Sequence, residues 1–177
     1  MKNAFRPLAL PAILLSVCVC VCVESPALAS DGMVHVVATL KEDAEAGHAE
    51  AQFSLGEMYA EGLGVQQDDA QARSWFEYAA AQGHAEAQCR LGRMLAKGLG
   101  GSRDCARAQH WLMEAAAQEN AGAQFSLGMM HAEGQCVPQD RRAAKEWFGR
   151  ACGNGAKKAC ARAEELDEAG QKPAGNP

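Results

Sequence analysis

The most reactive side chains in this sequence are its eight cysteines. Cys18, Cys20 and Cys22 stand in an apolar stretch near the start, while Cys89, Cys105, Cys136, Cys152 and Cys160 are spread over the remainder. A thiol can bind metal, act as a nucleophile or oxidise to a disulfide, and its neighbours decide which. No paired C-x-x-C and no His-Glu-x-x-His occurs, so no metal site is expected. No Gly-rich phosphate loop occurs either, so no cofactor is expected. Acyl transfer of the Ser-x-x-Lys type needs a lysine one helical turn beyond the serine. Ser54, Ser74, Ser102 and Ser126 are followed three positions later by Glu57, Glu77, Cys105 and Met129, and Lys-Thr-Gly and Ser-Asp-Asn are absent. A Cys105–His110 pair has no visible orienting partner. No catalytic residue is assigned, and the chain reads as a non-enzyme.

The elements that position these residues are set by a repeat. Trp75, Trp111 and Trp147 lie 36 residues apart, and Leu55-Gly56, Leu91-Gly92 and Leu127-Gly128 keep the same step. Gly62/Gly98/Gly134, Asp68/Asp104/Asp140 and Ala72/Ala108/Ala144 share it too. His48–Gly83 and His84–Glu119 align without gaps at 20 identities in 36 positions. A period of this length means stacked supersecondary units, none of which buries its apolar face alone.

Each unit reads as helix–turn–helix. Ala51, Leu55, Met58 and Tyr59 give Ala49–Ala60 the spacing of an amphipathic helix. Gly62 and Gly64 break it, and Asp68 is suited to cap a second helix over Asp69–Gln82. The same plan places helices near Ala85–Ala96, Asp104–Gln118, Ala121–Ala132 and Asp140–Cys152. His48 and His84 precede first helices where the third repeat has Asn120, so a capping role is expected of them; His110 and His131 read as solvated. Trp111 is expected to be buried between neighbouring repeats.

The ends differ. Lys2 and Arg6, the charge-free run Leu8–Val23 and Ala27-Leu28-Ala29 read as a secretory leader over 1–29, cleaved after Ala29. The alternative is a leader retained as an anchor, and the membrane enters only through this segment. Cys18, Cys20 and Cys22 each follow valine rather than a small residue, so they read as apolar filler rather than lipidation sites. A capping helix is expected over 30–47, repeats over 48–83, 84–119 and 120–155, a C-terminal capping helix over 156–168, and a disordered tail over 169–177. The formal charge of -5 offers no basic stripe for nucleic acid.

These repeats resemble the Sel-one-like repeat (SLR) family, relatives of the tetratricopeptide repeats. The first carries the pattern as Ala49, Ala51, Leu55, Gly56, Tyr59, Gly62, Gly64, Val65, Asp68, Ala72, Trp75, Ala79, Ala80 and Gly83. The second departs at Leu95 and Gly101, the third at Met130-His131 and Cys136. The resemblance implies an all-α fold: a right-handed α-solenoid of three helix–turn–helix repeats with partial capping helices. Arg150–Cys160 further resembles the secreted cysteine-rich SLR proteins of bacteria, in which cysteines eight positions apart form a disulfide. That implies a Cys152–Cys160 bond, and the short Gly-Asn-Gly turn between them allows it. Some of those relatives have been called penicillin-binding or β-lactamase-like, which makes a weak β-lactam-acting protein the alternative function.

Five cysteines beyond the leader can form two bonds in fifteen ways, so pairing needs geometry. Cys105 opens a second helix and Cys136 lies in the next repeat's turn; stacking would bring them together. Cys89 takes the place of Phe53 and Phe125 on an apolar helix face and reads as a free thiol. All five as reduced core residues is the competing reading.

In tetratricopeptide-type stacks the first helices line a concave groove. Carried onto this chain, the groove positions are Phe53, Glu57 and Glu61, then Arg93 and Lys97 beside Cys89, then Phe125, Met129 and Glu133. The expectation is a periplasmic or secreted scaffold holding a protein or peptide partner of the cell envelope in that groove. Phe53 and Phe125 serving only as packing residues is the plainer alternative, and a purely structural envelope component is a further one.

Overall fold

The computed structural model describes residues 26–171, with side-chain environments for residues 35–166. Most of the expected leader (1–25) and of the expected tail (172–177) lies outside the described residues. Eight helices make up the described chain: α1 (Pro26–Glu45), α2 (Ala49–Glu61), α3 (Asp69–Ala81), α4 (Ala85–Lys97), α5 (Cys105–Ala117), α6 (Ala121–Glu133), α7 (Arg141–Gly153) and α8 (Lys157–Gln171). Consecutive helices pack on one another, and α4 also touches α6. The result is an α-solenoid in which α2/α3, α4/α5 and α6/α7 are the repeated pairs. The first helix begins at Pro26, ahead of residue 30, and α8 continues to Gln171, past residue 168; no proline falls within α8 to interrupt it.

Local chemistry punctuates each pair. Gly62, Gly98 and Gly134 end the first helices in the left-handed region, at φ 72, 74 and 69°. Asp68, Asp104 and Asp140 start the second helices by accepting backbone N–H bonds from residues two or three positions ahead. The bond from the Ala143 N–H is the main reason the Asp140 carboxyl sits below its ordinary range. Asn120 Oδ1 and His84 Nδ1 cap α6 and α4 through Ala123 and Ala87. His48 makes no such bond, so its expected capping role is not realised.

The core sits between the paired helices. Leu55, Leu91 and Leu127 are fully buried, and the glycine after each lets the second helix close in. A methyl group built on Gly56, Gly92 or Gly128 would lie 2.6–2.8 Å from Phe76, Leu112 or Phe148. Those three residues, not the tryptophans, are the fully buried ones. Trp75, Trp111 and Trp147 are half-buried, which corrects the expected burial of Trp111. One step along a helix turns the face by about 100°, so the residue after each Trp takes the centre of the core.

Between repeats runs a ladder of buried amides. Gln52, Gln88 and Gln124 are the buried polar residues among those described. Each donates through Nε2 to a carbonyl of the preceding second helix: Ala44, Ala80 and Ala116 at 3.1, 3.2 and 3.2 Å. Each also accepts at Oε1 from the amide that ends its own repeat: Gln82, Gln118 and Asn154 at 2.7, 2.8 and 3.0 Å.

A candidate binding cleft between the first helices

A cleft of about 440 Å³ opens between α4 and α6. Arg93 and Lys97 come from α4, one turn apart on its exposed side, and Phe125, Met129 and Glu133 come from α6. Leu112 of α5 reaches it from below. Phe125 and Met129 are half-buried: the Phe125 ring leans on Phe148 at 5.4 Å, and Met129 Sδ lies 3.8 Å from Arg162 Nη2. Neither Arg93 nor Lys97 forms an ion pair among the described residues. The cleft therefore offers an apolar floor, two cations without a close ion pair on one wall and a carboxylate on the other.

Five of the eight expected groove residues line this cleft. Phe53, Glu57 and Glu61 do not. The Phe53 ring stacks on His84 at 4.7 Å and tilts against Phe76 at 5.8 Å, so it packs the junction of the first two repeats. Glu57 is held by Arg90, Nη2 to Oε2 at 3.0 Å. Partial burial raises its carboxyl pKa, against the pull of Arg90, with Glu61 and Glu86 adding to the rise and Arg93 opposing it. Glu61 is exposed. Arg90, which neutralises Glu57, was not singled out in the sequence, although its place one turn before Arg93 on the same helix was visible.

The thiols divide into two bonds and one free group. Cys105 joins Cys136 and Cys152 joins Cys160, each with a Cα–Cα distance of 4.9 Å. Cys89 is free and 1% exposed, directly beneath the cleft: a methyl on Gly122, which lines it, would lie 3.4 Å from Cys89 Sγ. Burial first, then Glu86, pushes the Cys89 thiol up to about 11, so it is a protonated core residue rather than a nucleophile. No cluster of three His, Cys, Asp or Glu among the described residues could hold a metal, and no described helix is long and apolar enough to cross a membrane. Disulfides persist in oxidising compartments, and two of them point to an extracytoplasmic protein.

The Sel1 repeat family matches three successive segments, residues 49–84, 85–120 and 121–155, which together make up more than half of the chain. The chain belongs to the Sel1 repeat family. A crystal structure of a Sel1 repeat protein from Oxalobacter formigenes is 34% identical, with a TM-score of 0.61 over 66% of this chain and 47% of that one. A protective antigen of uropathogenic Escherichia coli strains, displaying an SLR fold, is 29% identical with a TM-score of 0.61 over 76% of this chain and 36% of that one. Cysteine rich protein B of Helicobacter pylori shares the fold, at 21% identity and a TM-score of 0.56 over 71% of this chain and 96% of that one. This Sel1 repeat chain thus spans less than half the length of the first two. None of the curated proteins matches it. Sel1 repeat proteins are generally protein–protein interaction scaffolds and typically non-enzymatic.

Proposed function

We propose that this protein is an exported, periplasmic or secreted scaffold that holds a partner segment in the α4–α6 cleft, and that the segment carries an apolar side chain flanked by carboxylates. The observation that carries this reading is the cleft itself: Phe125, Met129 and Leu112 beneath, with Arg93 and Lys97 unpaired beside them. Apolar floors supply affinity, while charged rims set orientation and association rate. Export rests on the leader-like start of the sequence together with the disulfides.

The test is affinity capture from the envelope fraction of the source cells, with wild type and an Arg93→Glu/Lys97→Glu variant side by side. Exposed charges contribute little to stability, so the variant keeps its helicity and melting curve. Wild type should retain a partner of acidic, apolar sequence at the mapped contact, and the variant should lose it. Equal recovery by both would reject the cleft as the site.

A further inference from the structure

The two disulfides differ in their surroundings. Cys152 and Cys160 lie in adjacent helices across a short turn, and neither has a positive φ. Cys136 has φ 62°, in the left-handed slot that Gly64 and Gly100 fill in the other repeats at 70 and 68°. That region disfavours a residue with a side chain. The Arg103 guanidinium places Nη2 3.4 Å from Cys136 Sγ. Its partner Cys105 is the first residue of α5, where helix N–H groups favour a thiolate. Both residues are half-buried rather than enclosed.

The bond also spans the cleft's supports. Cys105 begins α5, the helix that carries Leu112, and Cys136 follows Glu133 and Gln135 at the rim. Opening it would free the turn after α6 from α5. We propose that Cys105–Cys136 is a site of thiol–disulfide exchange, opened selectively by a dithiol protein of the exported compartment, and that its opening loosens the α4–α6 cleft. In this exchange a dithiol's thiolate attacks Cys105 Sγ. The Cys105–Cys136 bond breaks, and its electron pair leaves on Cys136 Sγ as a thiolate that Arg103 stabilises. The reagent's second thiolate then displaces Cys105 from the mixed disulfide. Two electrons pass to the cysteine pair, the dithiol leaves as a disulfide, and its two protons end on the two freed thiols. A stabilised leaving thiolate speeds such exchange. Cys160 Sγ instead faces the Ala156 carbonyl, at 4.0 Å.

The proposal does not depend on the cleft's occupant, because Cys89 beneath it is a built-in reporter. The oxidised full chain is treated with dithiothreitol for timed intervals, quenched by acid, alkylated and analysed by mass spectrometry. Cys105 and Cys136 should become labelled at least about tenfold faster than Cys152 and Cys160. Arg103→Ala should remove most of that advantage and Arg103→Lys should retain it, while circular dichroism confirms that both remain folded. In a second arm, native iodoacetamide labelling of Cys89 should rise at least about fivefold once the Cys105–Cys136 bond is open. Equal or reversed opening rates, an Arg103→Ala variant as fast as wild type, or a Cys89 still protected after opening would each overturn the proposal.

Discussion

Gln88 Oε1 accepts a hydrogen bond from Gln118 Nε2 at 2.8 Å, joining the first helix of the middle repeat to the residue that ends its second. Through its own Nε2 the same buried side chain donates to Ala80 O of the preceding repeat at 3.2 Å. One amide thus ties three segments, and Gln52 and Gln124 repeat the arrangement.

Replacing Gln88 with leucine leaves Ala80 O and the Gln118 amide without this partner. A buried polar group left unsatisfied costs about 1–3 kcal/mol, and in a one-dimensional stack a loss at one interface loosens its neighbours. The melting temperature should fall by several degrees, at about 2–4 °C per kcal/mol for a chain of this size. Gln109→Leu, on the exposed side of α5, is the control and should melt with wild type. A Gln88→Leu protein as stable as that control would show that the amide ladder contributes nothing.

Gly92→Ala sets a methyl 2.7 Å from Leu112 Cγ and 3.1 Å from Ala108 O, on the axis of the core. Overpacking of this kind costs about 1–3 kcal/mol. Gly149→Ala meets nothing within 4 Å and lies inside α7, so it should hold or gain up to about 1 kcal/mol from helix propensity. Urea titration of both variants reads the contrast; equal midpoints would contradict the close approach of the paired helices.

Most of this architecture was legible because its punctuation is chemical. A glycine that must take positive φ and an aspartate that caps its own helix leave marks at fixed steps in the sequence, as Gly62/Gly98/Gly134 and Asp68/Asp104/Asp140 do. Gln52, Gln88 and Gln124 recur at the same step, but a glutamine on a helix gives no sign of whether it faces water or a neighbouring carbonyl. The groove residues were legible as a face and not as a site. Phe53 turned to Phe76 of its own repeat and to His84 at the start of α4, and Glu57 to Arg90 of α4, because helix pairing and stacking geometry decide side-chain partners. The tryptophans marked the period clearly but not the centre of the core, which lies one residue further on at Phe76, Leu112 and Phe148.

Cys89 links stability to alkaline pH. Its folded pKa is raised from 9.0 to about 11, chiefly by burial, so folding favours the protonated thiol. That contribution is fully present below the unfolded pKa and is lost as pH rises from about 9 to about 11. It is on the order of 2 kcal/mol. Melting curves of wild type and Cys89→Ala across this window isolate it. Cys89→Ala begins less stable because of the cavity it leaves, and the gap should narrow as pH rises. A gap that stays constant or widens would mean that the thiol titrates without penalty.

The central claim, that the α4–α6 cleft holds the partner, is tested most directly by site-specific photo-crosslinking in the envelope. A photoreactive amino acid at Met129, inside the cleft, is compared with one at the exposed Glu114 of α5. Met129 should give a partner adduct that disappears in the Arg93→Glu/Lys97→Glu background, and Glu114 should give none. An adduct from Glu114 alone, or one from Met129 that survives both charge reversals, would contradict the account.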